Sequence, residues 1–313
     1  MNNTKKPIWA IALVLIGATS YGFVSAVLKF AVNDGMDVKH LTFQQVLFGA
    51  VLLWLTLGVV RVGGRGQPSL AGTWKSWLRL SVIGILGLSL TTIFYNEALA
   101  RLDASLVIVL LFQYTWITIL LESIRKRQWP TKQEWIAVLC IALGTILAAG
   151  LLERDFSELD GLGIIFGLLS AVTYSLFFFL TGFLPNHLDA VAKSAMMSTA
   201  SLLFVFILQL SQAPALIADS FNGTTMAWGL VIGFLGTAFP FFCFNYGIPK
   251  LGSGLAALLG SMELPAAVVA AFILLGEPLT LWQGAGIVLI IAGIMAAQSK
   301  PHLAATAGKE GEK

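Results

Sequence analysis

Charge is what this sequence has little of. Only 11% of its 313 residues are Asp, Glu, Lys or Arg, too few to cover the surface of a water-soluble globule of this length. Its two cysteines, Cys140 and Cys243, both sit inside apolar stretches and read as small soft hydrophobes, with no spacing for a disulfide framework or a metal site. The three histidines, His40, His187 and His302, fall in separate loops or the tail, so no clustered acid–base or metal centre is expected. No GxxxxGK[ST] run is present to cradle a nucleotide phosphate. No basic–aromatic surface points to nucleic acid, and no cofactor is implied.

What the chain has instead is apolar sequence: 57% hydrophobic residues and a mean hydropathy of +0.85. A bilayer core takes roughly 20 apolar residues as a helix, and backbone groups there must be satisfied internally, so the runs are read as spanning helices. Ten spans are expected, at 8–30, 41–61, 76–97, 102–122, 134–152, 161–183, 192–210, 226–247, 252–275 and 281–298. The loops between them are too short to hold a soluble domain. Lys5 and Lys6 ahead of the first run, with small residues at Ala18-Thr19-Ser20, mimic a secretory signal. The run continues to Phe30, however, and reads as a permanent span. Of the 19 basic residues, all but Lys29, Lys39, Arg101 and Arg154 fall with the termini and the loops after even-numbered spans. By the positive-inside rule both termini are cytoplasmic, and the expected location is the plasma membrane.

The strongest signal is internal similarity. Shifted by 149 residues, Gly84 falls on Gly233, Gly87 on Gly236, Asn96 on Asn245, Leu106 on Leu255, Thr131 on Thr280 and Gly144 on Gly293. A shift of 153 sets Ala18 and Tyr21 on Ala171 and Tyr174. The unit is five helices, an odd number, so the second copy enters the membrane from the opposite side. The expected fold is thus an all-α integral membrane protein of two inverted five-helix repeats, 8–152 and 161–298, flanked by a cytoplasmic N-terminus at 1–7 and a tail at 299–313. Inverted repeats supply two near-equivalent packings, open on opposite sides of a central site.

NEALARLDASLVIVLL and WPTKQEWIAVLCIALGTIL in the first half, and NYGIPKLGSGLAALLGSMELPAAVVAAFILLGEPLTLWQGAGIVLIIAGIM in the second, resemble the two units of an EamA-family permease of the drug/metabolite transporter superfamily. The likeness covers about residues 8–298. GEPLT before the last span is similar to that family's acidic turn. Gln128 stands opposite Glu277, so the first copy departs from the pattern. The resemblance implies a secondary carrier or exporter of small solutes such as amino acids, nucleosides, vitamins or drugs.

Glu263, in SMELP, is the in-membrane carboxylate of the second half. Placing such a charge mid-bilayer costs about 2.5–3.5 kcal/mol unless it is paired, hydrated or neutralised by a proton. A proton-coupled carrier or an amine-binding site needs such a group; a protonated carboxyl bonded to a neighbour would merely hold the ninth span. The 149 shift sets Tyr114 on Glu263, so the pair is expected to face each other mid-membrane, with Gln113 adjacent and Trp116 as a stacking wall or a packing residue. Tyr21 and Tyr174 are candidate cavity-lining residues on the first and sixth spans, or interface fillers. Pro265 is expected to kink the ninth span beside Glu263, and Pro240 to break the eighth span opposite Thr91, where the first copy has no proline. Lys29 and Glu97 are a candidate outer gate pair or an ordinary surface ion pair, with Gln44 and Gln45 lining the outer vestibule. Asn96 and Asn245 read as helix-terminating residues.

The function expected is a secondary active transporter, in the export direction, of small metabolites or amino-acid-like solutes. Its partners are the solute, protons as coupling ion and the lipid bilayer. The site lies between the first, fourth, sixth and ninth spans. Alternatives are a membrane enzyme acting on a lipid-like substrate, disfavoured by the scattered histidines, and a non-transporting scaffold.

Overall fold

A computed structural model describes residues 7–62, 74–102, 104–151, 160–184, 189–210, 213–220 and 222–298. The tail, most of the N-terminus and the basic residues Arg65 and Arg154 lie outside the described residues, as do His187 and His302. Every regular element among the described residues is helical. The chain is a multi-pass membrane protein.

The helices are α1 (Ile8–Asn33), α2 (Val38–Val62), α3 (Trp74–Leu99), α4 (Ala104–Leu111 and Tyr114–Lys126), α5 (Lys132–Ala148), α6 (Gly161–Thr181), α7 (Ala190–Leu208), α8 (Gly223–Leu251), α9 (Ser253–Gly260 and Glu263–Leu275) and α10 (Leu281–Gln298). All but α5 are long and apolar enough to cross a membrane, giving nine candidate spans among the described residues. The fifth span was expected to run to 152, but α5 stops at Ala148 after 17 residues and the chain turns at Gly150, φ 69°. At 1.5 Å per residue that is about 25 Å, short of the roughly 30 Å hydrocarbon core. One helix is additional: Ala213–Ser220 precedes α8, and its Leu216 packs with Phe43 and Val205.

Four helices are interrupted, and the interruptions fall in the 149-residue register. In α3 a π-helical stretch covers Ile85–Leu90, and in α8 another covers Phe234–Ala238. In α4 the helix breaks at Phe112-Gln113 and restarts at Tyr114; in α9 it breaks at Ser261-Met262 and restarts at Glu263. The turn bonds match as well: Thr115 N–H to Phe112 and Ile117 N–H to Gln113 in α4, Leu264 N–H to Ser261 and Ala266 N–H to Met262 in α9. These pairs correct the role expected of the prolines. The second copies are interrupted beside Pro240 and Pro265 as expected, but the first copies break with Thr91 and Trp116 at those positions, so proline is not required for the break.

Backbone groups freed in apolar surroundings need partners. Across the α8 π stretch, Ser20 Oγ donates to the Leu235 carbonyl at 2.9 Å and Gln45 Nε2 to that of Gly236 at 3.3 Å. In α3, Thr91 Oγ1 donates to the Leu86 carbonyl at 2.8 Å.

Packing crosses between the halves of the chain. α1 lies on α8 and α9 while α6 lies on α3 and α4; α2 lies on α8 while α7 lies on α3. α5 and α10 pack along each other's length, and both begin with the same reciprocal cap. Thr131 pairs with Glu134, and Thr280 pairs with Gln283 in the same way. Their contact depends on small residues, because a Cβ on Gly144 would lie 2.7 Å from Ile290 Cγ1 and 2.8 Å from the Gly286 carbonyl. Leucine at Gly144 is therefore expected to lower stability by about 1–3 kcal/mol. Thermal unfolding in detergent reads this as a fall in midpoint, while leucine at Gly284, which faces open space, leaves the midpoint unchanged.

Candidate functional site

A cavity of about 150 Å³ opens beside the α9 break, lined by Tyr21 of α1, Thr42 and Gln45 of α2, Thr92, Tyr95 and Asn96 of α3, Leu111 of α4 and Glu263. Glu263 is half-buried at the first position of the restarted helix, and its carboxylate has no hydrogen bond or ion pair among the described residues. Gly22 of α1 permits this approach, since a Cβ there would collide with the Glu263 carbonyl and lie 2.8 Å from Ala266 Cβ. Ser25, Tyr95, Ile108 and Ala267 also line a second cavity of about 260 Å³, which continues to Glu277 and Gln283 where α9 ends.

Toward the opposite end the path is filled. Tyr114 is fully buried and donates its hydroxyl to the Ala257 carbonyl at 3.3 Å. Its ring lies 4.7 Å from that of Tyr174 and stacks on Phe178 at 5.3 Å, and Phe177 and Phe244 complete the plug. Beyond the plug the buried Glu122 of α4 accepts hydrogen bonds from Lys126 and from the Gly254 N–H at the start of α9. An anion is favoured at a helix N-terminus, where the first N–H groups lack intrahelical partners. Glycine is required for so close an approach: at Gly254 a Cβ would lie 2.6 Å from Glu122 Oε2, and Gly252 adopts φ 88°. One end of the central cavity is thus open, and the other is closed by aromatic packing and a carboxylate clasp.

Several expected residues lie elsewhere. Tyr114 and Tyr174 stay near Glu263 but do not line its cavity; both belong to the plug, while Tyr21 lines the cavity. Gln113 donates to the Val109 carbonyl at 2.9 Å and accepts from Trp116 Nε1 at 2.8 Å, so both serve the α4 break, and Trp116 is exposed on the outside of the bundle. Lys29 pairs with Glu277 and not with Glu97, because α1 packs on α9 and so brings Lys29 to the turn after α9. Glu97 lies near Arg101 at 3.5 Å, which also reaches Asp160 at 3.7 Å. Gln45 lines the cavity, but Gln44 is 1% exposed, packed against Gly229 of α8 rather than in a vestibule. Pro240 and Pro265 are both buried just after their breaks.

Asn96 and Tyr95 are among the lining residues that escaped sequence reasoning. Asn96 reads as a helix end but lines the cavity, whereas its counterpart Asn245 is fully buried and donates to Ser194 Oγ at 2.9 Å. Tyr95 stands where the second copy has Phe244, and that extra hydroxyl was the available signal. Among the described residues no group of three or more His, Cys, Asp or Glu is arranged to hold a metal ion.

The EamA-like transporter family model matches this chain twice, over residues 8–150 and 161–297. The chain belongs to the EamA-like transporter family. An uncharacterized transporter of Archaeoglobus fulgidus is 27% identical over 91% of this EamA-like chain and 95% of its own length. The uncharacterized transporter YcbK of Bacillus subtilis is 23% identical over 90% and 91%. A protein crystal structure superimposes with a TM-score of 0.68 at 17% identity, covering 91% of the EamA-like chain and 97% of the other, a likeness of fold.

Open and closed ends differ in access. With Cys140→Ser and Cys243→Ala as background, Ser25→Cys in vesicles is expected to react with a membrane-impermeant thiol reagent from one side, and Ala257→Cys from neither; the reverse pattern would exchange the two ends. Adding Glu122→Ala, which removes the clasp on α9, is expected to raise labelling of Ala257→Cys roughly tenfold, as loss of a charged hydrogen bond warrants.

Proposed function

We propose that this EamA-like transporter is a secondary active carrier that exports a small solute across the plasma membrane by alternating access, with both termini in the cytoplasm. Its working parts are two five-helix repeats in inverted topology, with α5 and α10 as counterparts and α5 as the tenth span. Four observations support that arrangement: the family model matched in each half, paired interruptions 149 residues apart, reciprocal packing of α1 and α6, and matching caps on α5 and α10. The basic residues near the Glu122 end support the cytoplasmic assignment of that end, which makes the present conformation open outward.

The observation that carries the reading is the unpartnered carboxylate of Glu263 in a cavity open at one end. A charge held there without a countercharge is costly, so Glu263 is stable when it carries a proton or faces a cation. A carrier that changes its occupant can use that requirement to couple flux to a proton gradient. In this reading the site lies among α1, α2, α3, α4 and α9, with Tyr21, Tyr95, Asn96 and Gln45 around the solute and the Tyr114–Tyr174 plug as the closed inner gate. Lys29 and Glu277 bridge α1 to the α9–α10 turn at the rim of the outer cavity. Family membership supports this carrier over a membrane enzyme or a scaffold.

Uptake into proteoliposomes across a metabolite panel, with and without a pH gradient, tests it. Glu263→Gln is expected to abolish gradient-driven accumulation while counterflow exchange of the same solute remains measurable. Accumulation at the full rate in that variant would remove Glu263 from the coupling step.

A further inference from the structure

We propose that the solute bound at Glu263 is a small organic amine, cationic at neutral pH and without a carboxylate, and that it exchanges with the proton held there. This rests on the carrier reading above and narrows its solute class.

The first argument is the charge inventory. The cavity lining holds one carboxylate, Glu263, and no Lys, Arg or His. The outer cavity that leads to it adds Glu277 and again no basic lining residue. Lys29 at the rim is engaged by Glu277. The titratable groups around Glu263 are Tyr21 from α1, Tyr95 from α3, Tyr114 from α4 and Tyr174 from α6; α2 contributes the uncharged Thr42 and Gln45. An ammonium group therefore finds its countercharge in this cavity. The carboxylate of a zwitterionic amino acid meets none, and within so small a cavity it lies close to Glu263 and is repelled by it.

Shape and surface agree. Tyr21 and Tyr95 line the cavity, and aromatic residues suit organic cations as well as aryl bodies. A volume of about 150 Å³ is the size of an apolar cavity known to hold one benzene ring. Asn96 and Gln45 offer uncharged polar partners for any remaining N–H or hydroxyl group.

The exchange balances without a further reactant. An ammonium ion R–NH₃⁺ enters from the open side, the O–H bond of the Glu263 carboxyl ionises, and the proton leaves to water on that same side. The product is an ammonium–carboxylate pair. Either occupant neutralises the carboxylate and both cannot do so together, so the two compete for one site.

Calorimetric titration of the purified protein in detergent near neutral pH, repeated in two buffers of different ionisation enthalpy, counts the protons released. The probes are a panel of aliphatic and aryl-alkyl monoamines from ethylamine to 2-phenylethylamine, each paired with its α-carboxylate counterpart, so that 2-phenylethylamine is set against phenylalanine. At least one amine is expected to bind with release of up to about one proton, while its carboxylate counterpart binds at least about thirtyfold more weakly. Glu263→Gln is expected to lose the proton release and weaken the amine by a similar factor, and Glu263→Asp, which keeps the charge, to restore the release. The proposal is overturned if no amine binds, if the amino acids bind as well as their amines, or if binding in Glu263→Gln is unchanged. Proteoliposomes separate this outcome from the carrier reading. Amine binding with proton release but no amine flux would refute the carrier and leave the amine site standing. Gradient-driven flux of another solute, sensitive to Glu263→Gln, would refute the amine and leave the carrier.

Discussion

Hydrocarbon solvates no backbone polar group, and that constraint decides where these helices can be interrupted. Four of them are: α3 and α8 by π-helical stretches, α4 and α9 by two-residue turns. An interruption exposed to lipid would strand carbonyls at a cost of several kcal/mol each. Here the freed groups face protein. Ser20, Gln45 and Thr91 supply hydroxyl or amide donors to the carbonyls of the π stretches, and the cavity beside the α9 break is one that polar side chains help to line. The cavity and the interruptions thus share one cause.

The two ends of the central region are held by different chemistry. At one end aromatic rings pack around Tyr114, and Glu122 accepts a hydrogen bond from the Gly254 N–H at the start of α9. At the other a half-exposed ion pair, Lys29 with Glu277, ties α1 to the turn after α9 and leaves the cavity between them open. Exposed pairs contribute little, usually under about 1 kcal/mol, whereas a packed aromatic cluster excludes water over its whole area.

Much of the architecture was legible because apolar runs and an internal register are one-dimensional signals. The 149-residue shift aligned Tyr114 with Glu263 and Thr131 with Thr280, and each pair occupies equivalent backbone positions in the structure. Equivalent backbone did not mean equivalent surroundings. Tyr114 entered the plug while Glu263 opened on a cavity, because a conformation open at one end treats paired positions unequally. The prolines misled in a related way. Pro240 and Pro265 drew attention to the second copies, yet the first copies break alike with Thr91 and Trp116.

The sequence by itself determined that the chain crosses a membrane as helices, that its halves share one pattern, and that Glu263 is an ionisable group at membrane depth. Each follows from local composition or spacing, which survive in one dimension. Only the tertiary structure decided that Lys29 meets Glu277 and not Glu97, that Trp116 faces outward, and that Tyr95 and Asn96 join Tyr21 around Glu263. Those outcomes depend on which helix faces which. Inside a bilayer every helix is apolar on most of its faces, so hydrophobic patterning cannot choose among partners, and close packing of small against large side chains makes the choice.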